Sequence, residues 1–165
     1  MSAVETFKAE APKVMGWLIR DFHLTDEQAA GPLGNAFVES NGFTEMRQEN
    51  CPPYHGGFGA WQWTGFGAGN NRARLYLNWC SAHGFDWRSI EGSYSYLRHE
   101  LQTDMAYIVA HLREAKNYIE ATEVFERLFE RAGVPAMARR IEGAKIALDA
   151  YRAAQSHEEP IHVQV

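Results

Sequence analysis

Apolar residues recur at steps of three and four over most of the chain, with one long break. Val14, Trp17 and Leu18, with Phe22 one turn on, form an apolar stripe, and Pro12 suits a helix start, so the pattern predicts a first helix over 11–22. Thr25-Asp26-Glu27-Gln28 reads as a capping box opening a second helix, which Gly31-Pro32 interrupts, residues 33–40 continue and Asn41-Gly42 stops. Another helix is predicted over 71–83. Tyr94, Leu97, Leu101, Met105, Ile108 and Leu112 keep the helical step over about five turns. Thr122 suits the cap of a helix ending at Gly133, and Ile141, Ala144, Leu148 and Tyr151 place a last helix after Pro135.

The break covers residues 41–70, where seven Gly and two adjacent Pro replace the helical period. Within it, Phe58-Gly59-Ala60-Trp61-Gln62-Trp63 lies between Gly56-Gly57 and Gly65 and predicts a strand of a small hairpin. The expected fold class is therefore mainly α (α+β), one helical domain over 1–154 with a β-hairpin after the second helix. Residues 155–165 are polar, carry a Pro, and read as a flexible C-terminal tail.

A chain of 165 residues exposes roughly 8,000 Å² when folded and buries about 70% of its unfolded surface, enough for one core without disulfides or metal. Its 16 basic and 21 acidic side chains leave a net charge of −5, which argues against nucleic acid as partner. No basic start leads into an apolar stretch and no run reaches a membrane span, so synthesis in the cytoplasm without stable membrane insertion is expected. Cys51 and Cys80 fit neither a disulfide framework nor a zinc motif and read as free thiols. The His residues lack metal-ligand spacing, and neither a nucleophile elbow nor a phosphate loop is present, so no metal or cofactor is expected.

What remains is a carboxyl group. Glu39 ends an otherwise apolar helix, beside Phe37 and Val38. Partial desolvation and the negative end of the helix dipole both favour its protonated form, as a general acid requires. Replacing it by a neutral amide should then cost no stability, because a desolvated carboxylate is unfavourable. The plain alternative is a helix-terminal Glu facing water. Tyr54, Phe58, Trp61, Trp63 and Phe66 follow within the Gly-rich stretch, interleaved with Gln62 and Thr64. Aromatic faces beside amide and hydroxyl groups suit a sugar ring, whose C–H faces stack and whose hydroxyls need partners. Alternation along a strand sends Trp61 and Trp63 to one face and Gln62 and Thr64 to the other. If the Trp pair is core, Gln62 and Thr64 face the water.

The string Gly34-Asn35-x-x-x-Glu39-Ser40-x-Gly42-Phe43, then Gln48-Glu49 and Gly56-Gly57-Phe58-Gly59-Ala60-Trp61-Gln62-Trp63-Thr64-Gly65, resembles the phage tail lysozyme family of the lysozyme-like superfamily. Arg72 and Arg74, Tyr96-Leu97-Arg98-His99-Glu100-Leu101 and Phe129-Glu130-Arg131-Ala132-Gly133-Val134-Pro135 extend the resemblance to about residues 14–150. Phe66-Gly67-Ala68-Gly69-Asn70-Asn71 is inserted before the Arg pair, where relatives place Arg directly after Thr-Gly.

The resemblance implies a muramidase cleaving the β-1,4 bond between N-acetylmuramic acid and N-acetylglucosamine in peptidoglycan. Glu39 maps to the catalytic Glu, and Gln62 and Thr64 to substrate contacts in the cleft; Trp61 and Tyr54 are expected to line the same cleft as aromatic faces. A second carboxyl group is expected from Glu49, with Glu45 the other candidate. A lytic transglycosylase and a non-catalytic glycan-binding tail module are the rival readings. The chain is expected to act as a monomer. No basic amphipathic segment is visible, so delivery to the wall is expected from a phage particle or a holin-type system.

Overall fold

The computed structural model describes residues 1–48 and 51–158, and helices dominate them. In chain order they are α1 (Ala3–Phe22), α2 (Asp26–Glu39), α3 (Arg72–His83), α4 (Ile90–Gln102), α5 (Ala106–Glu114), α6 (Tyr118–Phe125) and α7 (Met137–Glu158), with a π-helical turn at Glu126–Glu130.

α1 starts well before the predicted boundary, because Ser2 and Glu5 form a capping box: the Ser2 hydroxyl accepts from Glu5 N at 3.1 Å and the Glu5 carboxylate from Ser2 N at 3.0 Å. Pro12 lies inside this helix, whose face of Phe7, Ala11, Val14, Met15, Leu18 and Phe22 is buried. Burial of that face outweighs the one backbone bond that Pro removes.

α2 is the central helix. Its predicted capping box is present, with Thr25 Oγ1 accepting from Gln28 N at 3.1 Å and Gln28 Oε1 from Thr25 N at 3.0 Å. The predicted interruption at Gly31-Pro32 is absent: the helix runs through it, buried continuously from Gln28 to Phe37. Close neighbours explain the glycines. A Cβ on Gly31 would strike the backbone of Ala121, and one on Gly34 the carbonyl oxygen of Arg140. α2 thus touches α6 and α7 nearly backbone to backbone, its most extensive packing.

The predicted hairpin is not found; the described residues contain no sheet, only isolated bridges pairing Phe58 with Arg47 and with Trp63. Phe58 and Trp63 exchange backbone bonds of 3.0 and 2.9 Å across a reversal with positive φ at Gly59 (85°) and Gln62 (54°). Aromatic packing takes the place of a strand ladder. Trp63 stacks on Tyr76 of α3 at 4.4 Å and meets Tyr96 of α4 edge-on at 5.2 Å.

Two further helical expectations change. The long helix predicted through Leu112 is divided at 103–105, where Thr103 Oγ1 donates to His99 O at 2.7 Å, a side-chain bond that competes with the helical ladder. Asn117, not Thr122, caps α6 by accepting from Glu120 N at 2.9 Å. Thr122 is buried inside that helix, its hydroxyl donating to Tyr118 O. α7 continues through residues 155–158, which the sequence pattern assigns to the tail; residues 159–165 lie outside the described part. No described helix is long and apolar enough to cross a membrane.

Candidate active site

Gly31, Asn35 and Glu39 stand at four-residue steps on one face of α2, the face turned to α6 and α7. Asn35 is wholly buried and donates to Gly31 O at 2.9 Å and Thr122 O at 3.3 Å. Its Oδ1 accepts from Arg140 Nη1 at 3.0 Å, and Arg140 Nη2 donates to Glu39 Oε1 at 2.6 Å. Arg140 Nε is bonded to Pro135 O. Each nitrogen of the guanidinium, its side chain 2% exposed, thus makes one hydrogen bond, while the Glu39 side chain keeps 20% exposure.

That exposure opens on a hollow of about 400 Å³ lined by Glu39, Glu45, Arg47, Gln48, Gly57, Gln62 and Thr64. Gln62 Nε2 donates to Gly59 O at 2.8 Å, and Gly57 leaves the space its side chain needs, since a Cβ there would strike the Gln62 amide. Thr64 Oγ1 accepts from Asn70 Nδ2 at 3.3 Å. Thr64 also lines a second hollow of about 560 Å³, shared with Gly69, Asn70, Asn71, Arg72, Glu130 and Arg131. The two share Thr64 as a lining residue and are read together as two halves of one groove. The inserted segment ahead of Arg72 supplies part of its second half.

The structure thus brings together Glu39, Gln62 and Thr64, with Glu45 on the same wall. Glu49 lies outside the described residues. Trp61 is 1% exposed and its Nε1 donates to Pro32 O at 2.9 Å, so its ring belongs to the core. Tyr54 is 72% exposed, packs edge-on against Phe66 at 5.2 Å, and lines neither half of the groove. Of the two arginines, Arg72 is structural as well as groove-lining: it donates to both Glu100 oxygens at 3.3 Å and lies over the Phe129 ring. Glu100 accepts in turn from Trp63 Nε1 at 2.6 Å. Arg74 is exposed.

Arg140, Asn35 and Glu130 are the residues that sequence reasoning leaves without a role. Asn35 and Glu130 stand inside strings that carry the family resemblance, which is their available signal; Arg140 has none beyond its charge in an otherwise regular helix. Burial raises the pKa of Glu130 well above the carboxylate range, the charges of Glu39 and Glu100 add to the rise, and Arg140 and Arg72 oppose it. Among the described residues no group of three His, Cys, Asp or Glu is placed to hold a metal ion.

Comparison with curated proteins gives no match. The phage tail lysozyme family matches residues 9–151, a span that runs from α1 into α7 and contains both halves of the groove, so the chain belongs to that family, whose domain carries a lysozyme-like function directed at peptidoglycan.

Proposed function

We propose that this protein is an N-acetylmuramidase that hydrolyses the β-1,4 bond between N-acetylmuramic acid and N-acetylglucosamine, serving a bacteriophage in lysis of the cell or penetration of its wall. The observation that carries the reading is the placement of Glu39: an oriented carboxyl at a helix end, opening on a polar groove walled by Gln62 and Thr64. A glycan strand laid along the groove brings a glycosidic oxygen to Glu39, which donates its proton as the bond breaks. Arg140 fixes the carboxyl's direction. Gln62 and Thr64 meet sugar hydroxyls. Glu49 is the proposed second carboxyl group, with Glu45 the alternative on the groove wall.

Glu39→Gln should lower peptidoglycan turbidity clearance by at least ~10²-fold. Mass spectrometry of the wild-type digest should show reducing muramic ends. Near-normal clearance by the variant removes Glu39 from the reaction, and 1,6-anhydro ends mean transglycosylation instead. Delivery is proposed to depend on a phage particle or a holin-type system. Purified protein added to intact Gram-negative cells should clear them only with a permeabiliser.

A further inference from the structure

The second half of the groove holds a carboxyl group that this reaction does not use. Glu130 ends the π-helical turn, and the chain then swings through Arg131 at φ 48°. Glu126, one turn earlier, is employed in holding this bend, its Oε1 accepting from Ala132 N at 3.2 Å. Glu130 makes no side-chain hydrogen bond among the described residues. The residue as a whole is half-buried and lines the hollow beyond Thr64, yet its Oε1 is out of reach of solvent and has no partner.

The charged groups around it are satisfied without it. Arg140 of α7 is bonded to Glu39 of α2, and Arg72 of α3 to Glu100 of α4 and to Phe129 O. Arg131, next in the chain, is exposed on the groove rim. Three carboxyl groups therefore share two buried or half-buried guanidiniums, and both guanidiniums are committed to the other two. A desolvated carboxyl group that receives no hydrogen bond, and whose neighbouring guanidiniums are bonded elsewhere, holds its proton, in line with the direction of its titration. Such a group is a hydrogen-bond donor, which a carboxylate is not. The terminal torsion of Glu is soft, so either oxygen can turn to the groove.

On the strength of the muramidase reading, we infer that Glu130 is a glycan-binding residue whose carboxyl donates a hydrogen bond to the carbonyl oxygen of an N-acetyl group in the half of the groove beyond Thr64. An amide carbonyl is the strongest neutral acceptor that the glycan offers, and Thr64, Asn70 and Asn71 around it supply groups of the kind that match hydroxyls.

The test is calorimetric binding, between pH 5 and 9, of a β-1,4 tetramer of N-acetylglucosamine and of the corresponding glucose tetramer. Glu39→Gln is the background, so that neither sugar is cleaved, and thermal unfolding is followed on every variant. One such hydrogen bond corresponds to roughly 3- to 10-fold in affinity. The N-acetylated tetramer should bind more weakly by that factor as pH rises and Glu130 ionises. Adding Glu130→Gln should abolish the pH dependence while holding affinity near its acid-side value, because the amide still donates. Adding Glu130→Leu should impose the loss at every pH, and the glucose tetramer should be indifferent throughout.

Unchanged binding in Glu130→Leu, a pH dependence that survives in Glu130→Gln, or an equal loss for both sugars overturns the inference. So does a loss of kcat without a change in binding when Glu130→Gln is placed in the otherwise unaltered enzyme. Muropeptide release by the wild type alongside any of these results leaves the muramidase reading standing. Failure of the wild type to release muropeptides removes both.

Discussion

Glu39 and Arg140 are 101 positions apart in the chain and joined by a 2.6 Å bond. Arg140→Leu leaves the Glu39 carboxyl group and the Asn35 amide oxygen without their shared donor. It should cost about 2 to 4 kcal/mol, below the full penalty for breaking a buried pair because Glu39 keeps contact with solvent; the shift of the urea midpoint measures it. Glu39→Gln should be milder, under about 1.5 kcal/mol, since the amide oxygen still accepts from Arg140. The Arg140 contact argues against the expectation that neutralising Glu39 costs nothing, and the difference shows what is legible at this scale. Glu39, Gln62 and Thr64 can be found by local argument, from a helix end and from amide and hydroxyl groups among aromatics. Arg140 cannot, because its contribution exists only after α7 has docked on α2. For Trp61 the sequence leaves core and cleft both open, and its Nε1 partner, Pro32 O in another element, is what decides for core.

Elements built from local chemistry are the legible ones. Capping groups mark α2 in the sequence, and apolar spacing marks α7. Errors concentrate where tertiary contact overrides a local signal: Gly31-Pro32 reads as a break but is a place of close helix packing, and the Gly-rich stretch reads as a strand but is held by aromatic stacking. Two glycines separate these effects. Gly34→Ala drives a methyl group into the backbone of α7 at Arg140. It should destabilise by at least about 1 to 3 kcal/mol, the range for overpacking, and reduce activity by moving Arg140 off Glu39. A methyl group added at Gly16, inside α1, would meet nothing within 4 Å. Gly16→Ala should stabilise by about 0.5 to 1 kcal/mol and leave activity unchanged. Urea unfolding and turbidity clearance on the two variants check both statements.

For the whole molecule, two carboxyl groups set opposite limbs of the stability profile. The folded chain holds the Glu130 proton more tightly than the unfolded chain does. Its stabilising contribution is present below the ordinary glutamate value, about 4.3, and is lost as pH rises through the higher folded value. The stability of Glu130→Gln relative to wild type should therefore improve from pH 4 to pH 8. Asp21 behaves in the reverse sense: its hydrogen bond to Arg20 and a second one to Tyr94 hold its pKa low. That contribution is present above the ordinary aspartate range and lost as pH falls through the lowered value, so Asp21→Asn should narrow the acid-side loss of stability. Unfolding midpoints measured across pH resolve the two limbs.

The reach of Arg140 back to Glu39 also has a temporal meaning. On a ribosome, the groove residues from Glu39 to Thr64 emerge long before α7 does, and during that interval the carboxyl has no guanidinium to orient it. The first half of the groove is thus completed only by the last helix, and on the proposed reaction chains ending before Arg140 should release no muropeptides even though every residue lining that half is present.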